Sequence, residues 1–149
     1  MSSTTVDGAC AGHDAIGRLA EYYRRADGRM RGLPVHNAAL AVEAVGFRTH
    51  AGRQVGVIVT PWFMNLTALP AAEDLATWKK DAATRLVFPS GSYDFVVSEA
   101  GDVGLIATCS LFTLMHEFTD QATVREAAEA VITALMQPEA PPAPPAPKT

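Results

Sequence analysis

Cysteine is scarce in this chain of 149 residues: Cys10 and Cys109 stand far apart and neither belongs to a CxxC pair. That excludes a disulfide framework and a thiolate zinc or iron site. Histidine is equally thin, and none of His13, His36, His50 and His116 has a second His or Cys at metal-ligand spacing. No metal and no cofactor is therefore expected. Charged residues make up only 19% of the chain and form no basic cluster interleaved with aromatics, so nucleic-acid binding is disfavoured. No apolar run is long enough to span a bilayer, which argues against membrane insertion. The N-terminus has no charged start followed by an apolar core, so it does not read as a secretory signal, and a cytoplasmic location is expected. GxSxG, phosphate-loop and dinucleotide fingerprints are missing as well.

What is present fits one domain. Residues 1–12 are small and polar and are expected to be a disordered leader; residues 13–137 form the domain; 138–149 read as a proline-rich disordered tail. An amphipathic helix is expected from about Asp14, its cap, to Asp27, through Ile16, Leu19, Ala20 and Tyr23. Strands are expected over Leu40–Phe47, Val55–Thr60, Met64–Leu69, Arg85–Phe88, Tyr93–Glu99 and Gly104–Phe112, with a short helix through Leu75, Trp78 and Ala82. A final helix begins at a Thr123/Glu126 capping box and carries Val124, Ala128, Val131 and Leu135 on its apolar stripe. Strands joined by short turns between an N-terminal and a C-terminal helix give an α+β class: an antiparallel β-sheet with both helices on one face.

The densest block is Val55 to Pro70, VGVIVTPWFMNLTALP. A good strand runs into Pro61, which has no amide hydrogen and must end or bend the pairing. Trp62, Phe63 and Met64 follow, and three consecutive large side chains cannot all point into one core. Aromatics and methionine are what surfaces for apolar or peptide partners use. Pro61, Trp62, Phe63 and Met64 are therefore candidate partner-binding residues. Strand alternation turns one of Phe63 and Met64 inward and the other outward. This pair ranks ahead of Trp62, whose indole is the costliest to leave wet and fits a core tryptophan as well as an interface. Phe112, Leu114, Met115 and Phe118 form a second apolar cluster that could share a groove with them.

Charge is uneven along the chain. From Tyr93 onward eight acidic residues stand against the two basic residues Arg125 and Lys148, whereas Met1 to Arg53 carries seven arginines against five acids. Two differently charged solvated faces account for this. A sharper reading makes Asp94, Glu99 and Asp102 an acidic site for a basic peptide. Catalysis has little to stand on: Cys109 alternates with Leu105 and Leu111 as core residues do, and His116-Glu117 is the only local His/carboxylate pair. A small enzyme or redox-active protein using Cys109 or His116 is the alternative to a binding module.

The segment Val57-Ile58-Val59-Thr60-Pro61-Trp62-Phe63-Met64-Asn65-Leu66, followed by Phe88-Pro89-Ser90-Gly91 and Cys109-Ser110-Leu111, resembles the HybE/HupJ/HoxT family of nickel–iron hydrogenase assembly chaperones. The resemblance runs from the first helix to the last. It implies a non-enzymatic accessory protein that binds the hydrogenase small-subunit precursor, through its twin-arginine signal or the immature subunit, before export. The large subunit and other maturation factors are further implied partners. Asp94, Glu99 and Asp102 would then meet the twin-arginine pair. Some relatives carry a rubredoxin-like domain with paired CxxC motifs after the shared region; the proline-rich tail here lacks them, which speaks against a rubredoxin-type iron role.

Overall fold

The computed structural model describes residues 3–112 and 115–137, with side chains from Ala15 onward apart from Asp102. Six strands make one antiparallel sheet: β1 (Glu43–His50), β2 (Arg53–Thr60), β3 (Phe63–Leu69), β4 (Ala83–Phe88), β5 (Gly91–Glu99) and β6 (Leu105–Phe112), in the order β1-β2-β3-β6-β5-β4. Helix α1 (Ser3–Met30) precedes the sheet, the one-turn α2 (Asp74–Thr77) follows β3, and α3 (Gln121–Leu135) closes the described chain. The α+β antiparallel class expected from the sequence is the one observed.

The helices do not share a face. On one side Val55, Val57 and Val59 of β2 join Met64, Leu66, Leu86, Phe88, Phe95 and Val97, and α3 covers them with Val124, Ala128, Ile132 and Leu135. On the other side Ile58 of β2, with Leu69 and Ile106, packs under Leu19 of α1. The reason lies in β2, which has no polar side: Val55 through Thr60 are all buried. A strand buried on both faces needs a layer on each.

The sheet also curls. β1 and β4 are its outermost strands, yet the His50 ring donates from Nε2 to the Val87 carbonyl at 3.3 Å and stacks on Phe88 at 5.3 Å. The α3 side is thus the inside of the curl. Two bulges help it bend. One, on β1 between Val45 and Arg48, places Gly46 at φ +70° and drops the Phe47 ring across Gly56 of β2. The other falls between Met64 and Asn65, where β3 meets β6.

Several local expectations need correcting. Helix α1 begins at Ser3 inside the expected leader and passes Gly28 to end at Met30; alanines at 9, 11 and 15 favour helix, and each glycine within it costs only about 1 kcal/mol. Asp14 is therefore inside the helix and not its cap. Asp120 caps α3, accepting from the Thr123 amide at 2.8 Å, so Thr123 lies in the first turn. Ile132 takes the buried place expected for Val131. Asp74 opens α2 but is 4% exposed and serves mainly as an anchor. Its Oδ2 accepts from the Ala71 amide at 2.8 Å and from Arg53 Nε at 2.7 Å, while Oδ1 accepts from Arg53 Nη2 at 2.9 Å. The Arg53 guanidinium also lies over the buried Trp78 ring, 5.9 Å from its centre. The proline-rich tail, 138–149, and Leu114 lie outside the described residues.

Two predictions follow from this architecture. A side chain at Gly56 would bring its Cβ within 2.8 Å of Phe47 Cα and into the Phe47 ring. Gly56→Ala should cost about 1–3 kcal/mol as overpacking, read as a lower denaturant midpoint at unchanged slope. The second concerns Asp74. Burial raises its carboxyl, but the Arg53 hydrogen bonds, the Ala71 amide and the Arg53 charge outweigh that and hold it below the ordinary carboxylate range. Its contribution is then complete above the unfolded value of about 3.9 and fades as pH falls through the lower folded value. Asp74→Asn should cost about 2–4 kcal/mol at pH 7, since it strands a half-buried guanidinium. The difference from the wild type should shrink below about pH 4. Urea unfolding at both pH values checks it.

Candidate functional site

Thr60 and Phe63 face each other across the β2–β3 hairpin, leaving Pro61 and Trp62 as a two-residue turn. Such turns usually take positive φ at one or both central residues. Neither does here, since Ala51 and Asp81 are the only non-glycine positions with positive φ among the described residues. The Thr60 side chain holds the turn instead: Oγ1 accepts from the Trp62 amide at 3.2 Å and the Phe63 amide at 2.9 Å. A hydroxyl in this place offers the turn amides a local acceptor.

Strand alternation then separates the three large residues. Met64 is fully buried in the α3-side core, and Pro61 is buried at the corner. Both are thereby removed from any contact surface, Met64 against expectation, because its parity on β3 matches Leu66 and Ala68. Phe63 turns to the α1 side and meets Tyr23 edge-on at 5.4 Å. Trp62 projects from the turn, half-exposed, edge-on to Phe63 at 5.6 Å and stacked on His36 at 6.3 Å with 22° between the rings. Burial, and then the neighbouring Tyr22, push the Tyr23 hydroxyl up to about 12, so it stays neutral.

The segment 31–42 supports this cluster, and nothing in the sequence singled it out. His36, with its side chain 8% exposed, donates from Nε2 to Asp27 Oδ1 of α1 at 2.6 Å. Asn37 is a buckle. Its amide donates to the Pro61 carbonyl at 2.8 Å, and its Nδ2 donates to the carbonyls of Met115 and Phe118 at 2.8 and 2.9 Å. It thereby ties the turn to the segment after β6, where Met115 is buried and Phe118 meets Phe112 edge-on at 5.3 Å. His116 donates from Nε2 to the Pro34 carbonyl at 2.7 Å. Leu33 and Val35, 46% and 40% exposed, flank Pro34. Trp62 and Phe63 thus rest on a hydrogen-bonded base formed by the same segment that exposes Leu33, Pro34 and Val35. No local pattern marks Asn37, whose side-chain partners lie about eighty positions away.

The acidic residues are not gathered into one site. Asp94 is 3.0 Å from Arg85 across the β4–β5 pair, and Glu99 is 3.6 Å from Lys80. They also point to opposite faces of β5, being five residues apart. The Asp102 side chain lies outside the described residues. Asp94 and Glu99 thus already have basic neighbours within the chain, against the expectation of an acidic patch waiting for arginines.

The residues of the enzymatic alternative are likewise apart. Cys109 lies on β6 opposite Leu66, in an apolar cleft under α3, while His116 is engaged with Pro34. Burial, and then the Asp94 charge, push the Cys109 thiol up, away from the thiolate a nucleophile needs. Among the described residues no three His, Cys, Asp or Glu side chains come together as a metal site, and no helix is long and apolar enough to cross a membrane.

Comparison with known proteins bears on the whole chain. The family model described as "[NiFe]-hydrogenase assembly, chaperone, HybE" matches residues 14–149. The chain is 49% identical over 121 residues to the "Hydrogenase expression/formation protein HupJ" of Bradyrhizobium diazoefficiens, covering 80% of this chain and 70% of that one. It is 45% identical over 112 residues to the "Probable rubredoxin HupJ" of Rhodobacter capsulatus, covering 74% of this chain but 40% of that longer protein. The solution structure of HybE from Escherichia coli has a similar fold, with a TM-score of 0.54 at 19% identity over 70% of this chain and 68% of that one. The family match, the HupJ identity and the shared sheet with its two helices agree: this chain belongs to the HybE family of nickel–iron hydrogenase assembly chaperones.

Proposed function

We infer that the protein acts in the cytoplasm as a non-enzymatic chaperone that holds the small-subunit precursor of a nickel–iron hydrogenase before export. The observation that carries this reading is a half-exposed Trp62 fixed by stacking on His36, beside the exposed Leu33 and Val35. An indole that is ordered before binding loses little conformational freedom on contact, which is what an interface anchor requires. The apolar character of this surface suits an apolar stretch of the precursor better than an arginine pair. The basic residues of a twin-arginine signal would sit at its rim, where their share of the affinity is salt-dependent and small.

Stability and binding should separate along the block. Trp62→Ala should weaken precursor capture by about 2 kcal/mol or more while leaving the fold nearly unchanged, as for an exposed anchor. Met64→Ala should cost about 2–5 kcal/mol of stability as a core truncation, and lose the precursor only as far as it unfolds. Melting curves beside pull-down of the small-subunit precursor decide it. A Trp62→Ala protein that folds and captures the precursor normally would move the binding surface elsewhere.

A further inference from the structure

Between α3 and the inner face of the sheet lies a cleft of about 400 Å³, walled by Leu66, Tyr93, Cys109 and Leu111 from the strands and Val131 and Leu135 from the helix. No charged side chain lines it. Its polar groups are the thiol of Cys109 and, at one edge, the Tyr93 hydroxyl and Ser90 Oγ, which share a hydrogen bond of 2.7 Å. An apolar cleft with one aromatic wall and a few hydrogen-bonding groups is the usual form of a ligand site. It shares no residue with the Trp62 surface.

The chain leaves α3 at this cleft. The Leu135 carbonyl accepts from the Ser90 amide at 3.2 Å, which pins the helix end to the rim. Three residues beyond Leu135 begins 138–149, PEAPPAPPAPKT, whose centre, Ala140 to Pro147, is uncharged and purely alanine and proline. Such sequences favour the polyproline II form, already extended and low in chain entropy, and grooves with aromatic walls recognise it. At about 3.1 Å per residue these eight residues extend roughly 25 Å, so the segment can turn back across the cleft. Length, neutrality and point of exit all match.

We propose that this cleft is a binding site for an extended proline–alanine segment and that residues 138–149 of the same chain occupy it. Tyr93 supplies the aromatic wall on which a proline ring rests, and its hydroxyl donates to a carbonyl of the segment. The tail is then a tethered ligand that covers the apolar walls.

Cys109 reports on the cleft from inside. In a Cys10→Ser background, its alkylation by N-ethylmaleimide is timed in the full chain and in a chain ending at Gln137. Removing the tail should speed alkylation roughly threefold or more, as for a weak site mostly filled at the ~1 mM effective concentration of a short tether. A synthetic peptide of residues 138–149 should restore the slow rate. A full-length chain with glycine at 141, 142, 144 and 145 should react like the truncated one, which keeps the test independent of chain length. Equal rates in all chains with no effect of the peptide would overturn the proposal. So would protection that grows with protein concentration, which would put the tail of a second copy in the cleft.

Discussion

Burial of β2 on both faces is the constraint on which the other layers depend. Val55, Val57 and Val59 have no exposed surface, and neither has Ile58 between them. Burying each such side chain is worth about 1.5–3 kcal/mol relative to leaving it exposed, but only if both sides are covered. α3 supplies one cover and α1 the other, and the long segments joining them to the sheet follow from that need. Ionic and polar anchors then fix the helices in place. Gln121 brackets Ala41, accepting from its amide at 2.8 Å and donating to its carbonyl at 3.1 Å, and Arg125 Nε reaches Glu43 Oε2 at 2.7 Å. These contacts hold the first turns of α3 against the start of β1.

The same strand delivers the candidate site. β2 ends at Thr60, whose hydroxyl shapes the turn that lifts Trp62 away from the sheet. The floor beneath it is built from three separate pieces of chain: α1 through Asp27, the 31–42 segment through His36 and Asn37, and the residues after β6 through Met115 and Phe118. An apolar surface is useful for recognition when it is rigid, and this one is supported from below by hydrogen bonds whose partners are backbone carbonyls and a carboxylate. Leu33 and Val35, exposed on the segment that carries His36, add apolar area to that part of the chain.

Much of the fold was legible in the sequence because the signals were local. All six strands were marked by short apolar runs, most of them alternating, between turn residues, and their ends shifted by only a few residues. The placement of both helices on one face was misjudged, although the unbroken run Val55–Thr60 contained the correction: a half-buried strand alternates, and this one does not. At the site, the proline corner and the in/out split of Phe63 and Met64 were legible, but which of the two faces inward was not, because the two-residue turn sets the parity of β3. Trp62, ranked behind both, is the one that the turn leaves half-exposed. His36, Asp27 and Asn37 were not legible. Their roles depend on contacts between distant segments, and a lone histidine or asparagine carries no pattern. The acidic residues were misread for a related reason: Arg85 and Lys80 reach Asp94 and Glu99 only once β4 is beside β5.

The central claim is that the precursor contacts the Trp62 surface. Site-specific photo-crosslinking tests it directly, with a photoreactive phenylalanine analogue placed in turn at Val35, beside Trp62's stacking partner His36, and at Val87, an exposed position on the outermost strand β4. Each variant would be exposed to the small-subunit precursor and irradiated. The account predicts a strong crosslink from position 35 and little or none from position 87. A crosslink from position 87 with none from position 35 would contradict it and move the chaperone's contact surface to the opposite part of the sheet.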